Sequence, residues 1–195
     1  MKLGDYTLII LASSSPRRQE LLNQIGCKFN VVPSGAEEDN SKTLPPEQLV
    51  INNAVAKAQD VADKRDGNDI ILGADTIVVM NGEVYGKPVN VADAKRMLSS
   101  LSGNVHTVYT GIALIKGNTV WRDFEKTTVK LSKLTSGEID QYIATGEPMD
   151  KAGAYAIQGI ATVFIEEIQG CYTNVVGLPL NKLANLCKKA GINLL

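Results

Sequence analysis

The sequence predicts an α/β fold, a mixed sheet flanked by helices, and three observations lead there. The chain opens on a continuous apolar run, Thr7–Ala12 (TLIILA), followed at once by a serine loop and a helix start. Further along, segments with helical spacing alternate with hairpin signals, which argues against a strict parallel winding. With 195 residues, 44% hydrophobic and 21% charged, the chain buries roughly 70% of its unfolded surface and needs no staple. It is read as one domain over residues 1–195; no repeat, linker or composition break marks a division into two lobes.

Each element has its own signal. Thr7–Ala12 reads as a strand buried on both faces. Ser15 suits an N-cap and Pro16 the first helical position, so a helix runs through Arg17–Ile25 until Gly26 stops it. Lys28–Val32 reads as a strand and the polar stretch Gly35–Leu44 as a loop. A long helix starts near Pro45, with Ile51, Val55, Ala58 and Ala62 inward, and ends around Asp66–Gly67. Ile70–Met80 is strand-like but broken by Gly73–Ala74. Asn81–Gly82 signals a two-residue hairpin into Glu83–Tyr85. Asn90 caps a helix through Leu101, with Ala94, Met97, Leu98 and Leu101 on one face and Gly103 closing it. Strands Val105–Ile115 and Thr119–Leu131 follow, joined by Gly117–Asn118. Thr135 and Glu138 form a capping-box pattern for a short helix ending at Gly146. After the loop EPMDKAGAYAIQG come a strand pair, Val163–Ile168 and Tyr172–Val176, and a last helix, Asn181–Ala190.

Composition excludes several classes. Twenty basic against 21 acidic residues leave a net charge of −1, without the basic footprint of a nucleic-acid partner. Cys27, Cys171 and Cys187 are odd in number and far apart, which suits reduced thiols rather than a disulfide framework or a zinc site. The single His106 also speaks against an imidazole-rich zinc site and reads as structural, at a strand edge. The run Leu8–Ala12, with Asp5 ahead of it, is too short for a signal peptide, and nothing approaches the ~20 apolar residues of a membrane span. A cytoplasmic protein without a membrane partner is expected.

Four segments carry residues suited to phosphate chemistry. In Ser13-Ser14-Ser15-Pro16-Arg17-Arg18 a helix N-terminus offers unpaired N–H groups and a partial positive charge, and two guanidinium forks add to it. A capped helix with solvated arginines is the plain alternative. Two positive charges at that end cost energy unless an anion compensates, and this favours phosphate over the plain reading. Asp75, amid the apolar stretch GADTIV, must be paired, metal-bound or lining a cleft. With Glu37, Glu38 and Asp39 it offers the hard oxygen donors magnesium takes, although a structural ion pair and a solvated acidic loop fit equally well. Lys57 on the long helix and Lys87 in the stiff Gly86-Lys87-Pro88 turn are cations that phosphate or solvent would satisfy. In EPMDKAGAYAIQG, small residues permit close backbone approach and Gln158 has an amide able to read a base edge; a tight structural loop is the alternative. No GxxxxGK[ST], GxGxxG or GxSxG occurs, which removes P-loop, Rossmann and α/β-hydrolase enzymes from the leading readings.

Taken in order, SSSPRRQELL, GADTIV, GKP, SGNVHTVYTG, EPMDKAGAYAIQG and VVGLPL resemble the Maf family of nucleotide pyrophosphatases, from about Leu8 to Leu180. The resemblance implies a fold like that of inosine-triphosphate pyrophosphatases, with a long central mixed sheet and two lobes around a deep cleft. It implies cleavage of a nucleoside triphosphate between the α- and β-phosphates with a divalent metal, Mg2+ first and Mn2+ second, and a homodimer. Asp75 matches the family's proposed general base and metal ligand. Glu38 matches an acidic catalytic or metal position, with Glu37 as the other choice. Arg17, Arg18, Lys57 and Lys87 match the basic positions around the phosphates, and Ser13 the phosphate-facing serine loop. Arg17, Thr76 and Gln158 match positions that mark the subgroup acting on dTTP and UTP, where Thr76 and Gln158 would bond the pyrimidine. Two other readings stay open: the same chemistry on a methylated or damaged nucleotide, and a nucleotide-binding regulator of cell division and septum formation.

Overall fold

The sheet is built around one long strand whose two halves have different neighbours. In the computed structural model, which describes residues 8–39, 43–65 and 67–194, β1 (Ile9–Leu11) is buried at all three positions. It pairs in parallel with both β2 (Phe29–Val31) and the first part of β3 (Ile70–Met80). The turn Asn81–Gly82, both residues at positive φ (52° and 77°), folds β4 (Glu83–Tyr85) back antiparallel onto the end of β3. β5 (Val105–Lys116), β6 (Thr119–Leu131) and β7 (Ile165–Gln169) complete an antiparallel half, giving the order β2-β1-β3-β5-β6-β7 with β4 also on β3. The mixed sheet flanked by helices expected from the sequence is the architecture found. The expected strand start, Thr7, and helix end, Asp66, lie outside the described residues.

Helices cover both faces. On one lies α2 (Pro46–Ala62), packing Ala54, Ala58 and Val61 on Ile10, Ile71, Ala113 and Ile115. On the other lie α1 (Pro16–Gln24), α5 (Tyr172–Val176) and α6 (Leu180–Lys189) at one end. At the other end of that face, α3 (Val91–Leu101) and α4 (Ser136–Ala144) bury Met97, Leu98, Ile139 and Tyr142 against Val78, Val108 and Val129. Local signals act as expected: Asn90 Oδ1 accepts from the Asp93 amide, and Thr135 with Glu138 makes a complete capping box.

Three expectations need correction. Gly73 does not break β3, which runs unbroken with Gly73 paired to Ala113. A Cβ there would stand 2.1 Å from the Ala54 carbonyl oxygen, and one at Gly111 would stand 2.2 Å from that of Val50. The two glycines therefore let α2 lie directly on the sheet. The buried stripe of α2 is Leu49, Val50, Asn53, Ala54, Ala58 and Val61; Ala58 is inward as expected, but Ile51, Val55 and Ala62 are only partly buried, because the face laid on Gly73 is that of Ala54 and Ala58. Tyr172–Val176 is the short helix α5 and not a strand; Gly170 (φ 130°) turns the chain off β7, and buried Asn174 ties α5 down by donating to the Val108 carbonyl and to Thr127 Oγ1.

Candidate active site

The cleft lies where the sheet forks. β1 takes Ile70–Leu72 and β4 takes Val78–Met80 on the edge of β3 away from β5, so the stretch between them borders open space. Such a switch point, beyond the end of a parallel strand, is where α/β sheets bind ligands. Here it is a cleft of about 490 Å³. Successive strand residues point to opposite faces, so Asp75 and Thr76 project to opposite sides of the sheet, and both line this one opening.

On the α2 side, Asp75 is only 4% exposed and is held at both oxygens. Lys57 Nζ donates to Oδ1 at 2.6 Å and Asn53 Nδ2 to Oδ2 at 3.0 Å. The same Lys57 ammonium donates to Glu38 Oε1, also at 2.6 Å. Two carboxylates from separate segments thus converge on a single cationic atom. That donor set fits a magnesium ion completed by phosphate oxygens and water. It does not fit an all-protein cage, since among the described residues no three His, Cys, Asp or Glu gather as one.

On the other side, Arg18 is 8% exposed and bonded at all three of its nitrogens. Its Nε donates to the Gly177 carbonyl (2.8 Å), Nη1 to Ser13 Oγ (3.0 Å) and Nη2 to Thr76 Oγ1 (3.1 Å). Burial pulls the guanidinium below its ordinary pKa while Asp75 pulls the other way. Thr76 Oγ1 lies 3.0 Å from Thr110 Oγ1, and Thr110 donates its one proton to the Asn174 carbonyl. A hydroxyl has a single proton, so Thr76 must be the donor to Thr110. The chain therefore runs Arg18 to Thr76 to Thr110 to Asn174, and Thr76 keeps no proton for a ligand.

α1 enters the cleft by its N-terminus. Ser15 makes no side-chain cap; Ser13 Oγ accepts from the Ser15 amide instead (3.2 Å). Among the described residues no side chain caps the first-turn amides, so they remain available to an anion. Arg17 reaches Asp150 across the opening at 3.4 Å, and Lys151 contacts both Asp150 and the Glu147 carbonyl. The loop 147–159 is docked by the Gly153 amide on the Gly86 carbonyl (3.0 Å), beside Lys87. Glu147 organises its far end: burial opposes ionisation there, but bonds from the Ile160 amide, the Tyr142 hydroxyl and the Ala161 amide outweigh it and carry the carboxyl below its ordinary range.

The structure brings Ser13, Arg17, Arg18, Glu38, Lys57, Asp75, Thr76 and Lys87 to one cleft. Gln158 is the exception, being exposed and outside the lining. Its neighbours Ala156 and Ile157 are buried and line the cleft in its place. Of the two loop carboxylates, Glu38 lines the cleft and Glu37 does not. Sequence reasoning missed Asn53, Thr110 and Lys151 as site residues. Asn53 had a readable signal: a polar residue one helical turn before Lys57, among small apolar residues. His106 is structural, as expected: 2% exposed, bonded through Nε2 to the Tyr155 hydroxyl (2.7 Å), and pushed by burial down to about 4.

Fold and site together define an α/β protein with a cleft rich in cationic side chains at a sheet fork. The fold is shared with the Ham1 protein of Staphylococcus aureus, at a TM-score of 0.53 and 13% identity over 94% of this chain and 100% of that one. The chain belongs to the Maf family, whose description, Maf-like protein, matches residues 8–190. It is 55% identical to a dTTP/UTP pyrophosphatase of Gloeobacter violaceus, covering 91% of this chain and 93% of that protein. To a protein of the same name from Clostridium botulinum it is 49% identical, over 95% and 98% respectively.

Proposed function

We propose that this protein is a nucleoside-triphosphate pyrophosphatase that hydrolyses dTTP and UTP to the monophosphate and pyrophosphate. The observation that carries the reading is the cleft itself: Arg17, Arg18, Lys57, Lys87 and Lys151 line one opening together with Glu38, Asp75 and Asp150, five cations to three carboxylates in a chain of net charge −1. The substrate class follows the activity named for relatives at 55% and 49% identity over nearly the full chain.

The residues divide the work by position. The uncapped amides of α1 and the Ser13–Ser15 loop cradle the phosphate tail, while Arg17, Lys87 and Lys151 gather its outer charge. Asp75, held at both oxygens, orients a water towards the α-phosphorus and takes its proton as the new P–O bond forms. The bridging oxygen leaves with pyrophosphate, whose charge the cations hold. Lys57 keeps Asp75 and Glu38 together and neutralises them when the anionic substrate arrives. Phosphoryl chemistry of this kind needs positioned charge more than a covalent nucleophile, and among the described residues no histidine lines the cleft to pair with a serine or cysteine. Asp75 and Glu38 would hold a divalent cation, Mg2+ or Mn2+, which supplies charge neutralisation on phosphate oxygens and acidifies a bound water.

Thr76 enters this reading through Arg18, because its proton is committed to Thr110. The same proposal includes a cytoplasmic location, which suits the three free cysteines, and the homodimer expected from the family resemblance. No helix among the described residues is long and apolar enough to cross a membrane. The test is a panel of UTP, dTTP, CTP, ATP, GTP and 7-methyl-GTP, with and without Mg2+, reading pyrophosphate against orthophosphate. The expected result is metal-dependent pyrophosphate release, fastest with UTP and dTTP. Orthophosphate as the product, or no turnover of any triphosphate, would refute the proposal.

A further inference from the structure

The acidic loop that carries Glu38 has no regular structure between Val32 and Asp39, yet α2 holds it at three points. Asp60 Oδ2 accepts from the Gly35 amide (2.8 Å) and the Ser34 hydroxyl (3.0 Å). Lys57 holds Glu38. Asn53 Oδ1 accepts from the Asp39 amide (2.9 Å), and its Nδ2 donates to the Asp39 carbonyl (3.1 Å). These pegs sit four and three residues apart, on one face of the helix.

Asn53 differs from the other two in its environment. It is 4% exposed, and only one orientation of its amide satisfies its neighbours. The Asp39 N–H can only donate, so it must meet the oxygen; the Asp39 carbonyl and the Asp75 carboxylate can only accept, so both must meet the nitrogen. Both amide protons are thereby spent, one on the loop and one on Asp75 Oδ2. Lys57, one turn along, makes the parallel connection from Glu38 to Asp75 Oδ1.

We infer that Asn53 is a positioning residue for hydrolysis, setting the orientation of Asp75 and its separation from Glu38. Without its amide, Lys57 alone joins the two carboxylates, and a single flexible ammonium leaves Asp75 free to rotate about that contact. The inference rests on the reading that Asp75 and Glu38 carry the chemistry. Partners that orient groups in this way typically affect activity by about 10–100-fold when removed.

The test compares Asn53→Ala, Asn53→Asp and Asp75→Asn in the full chain, using UTP with Mg2+. Thermal unfolding confirms that each variant is folded; should Asn53→Ala not fold, Asn53→Ser carries the same comparison. Asn53→Ala is expected to lower kcat at least tenfold while KM stays within about threefold. Asn53→Asp keeps the size of the side chain and can still accept from Asp39, but it cannot donate to Asp75. Its kcat should fall at least as far as that of the alanine variant. A kcat loss below tenfold, a loss carried by KM, or an aspartate variant more active than the alanine one overturns the inference. If Asp75→Asn is inactive while the Asn53 variants work normally, only the role of Asn53 falls. If Asp75→Asn itself turns over normally, the functional reading falls and takes this inference with it.

Discussion

Replacing Gly73 by alanine tests how the fold builds the site. The new Cβ would stand 2.1 Å from the Ala54 carbonyl oxygen and 2.9 Å from both the backbone nitrogen and the Cβ of Ala58. These are backbone neighbours in the middle of α2, so no side chain can swing away to make room. The helix must retreat by about 1 Å to restore ordinary contact, and overpacking of this kind costs about 1–3 kcal/mol. For a chain of this length that lowers Tm by roughly 2–12 °C. The same movement carries Asn53 and Lys57 away from Asp75, whose bonds are 3.0 and 2.6 Å long. A misplacement of about 1 Å can cost on the order of 100-fold in rate. Differential scanning fluorimetry and initial rates on UTP read the two effects. Gly137→Ala is the contrasting substitution: it lies in α4, its nearest atom to a new Cβ is 4.0 Å away, and helix propensity makes it neutral or stabilising. A Gly73→Ala protein with unchanged Tm and turnover would refute the claim that the glycine sets the height of α2 over the sheet.

Other consequences follow from buried groups. His106 is neutral in the fold, its pKa lowered from near 6.5 to about 4. The unfolded chain therefore binds a proton that the folded one does not, and stability full above pH 6.5 drains away as pH falls towards 4. The loss amounts to about 3 kcal/mol; in His106→Phe the Tm should fall less steeply across that window. Arg18→Lys removes a fork that serves three partners at once, so urea unfolding should show a loss of about 2 kcal/mol and the KM for UTP should rise. Thr110→Val takes one of two donors from the Asn174 carbonyl, leaving the Gly177 amide, and frees the Thr76 proton. A stability loss of about 1–2 kcal/mol by urea unfolding is expected.

Much of the fold was legible because its signals are local. Pro16 and Gly26 bracket α1, Asn90 and Thr135 cap their helices through contacts three residues away, and Asn81–Gly82 fixes a hairpin by backbone conformation alone. What escaped was decided by contacts across the chain. Gly73 looks like an interruption until α2 is laid over it, and that contact also buries Ala54, beside the expected Ala58, more deeply than the equally apolar Val55. Tyr172–Val176 has strand-forming side chains, but buried Asn174 bonds to β5 and β6 and holds the segment as a helical turn. The cationic and acidic residues of the site were readable as types suited to phosphate and metal. Their partners were not: the bonds of the Asn53 amide, and the order of donors from Arg18 to Asn174, emerge only when segments 14 to 64 residues apart meet.

Asp75→Asn offers the most direct measurement, since asparagine keeps the shape of the side chain and can take neither a proton from water nor the full charge of a metal. Calorimetric titration with a non-hydrolysable UTP analogue should give an affinity close to that of the native protein, while pyrophosphate release falls at least 100-fold. Turnover near the native rate in this variant would contradict the assignment of the fork in the sheet as the place where the phosphate chain is cut.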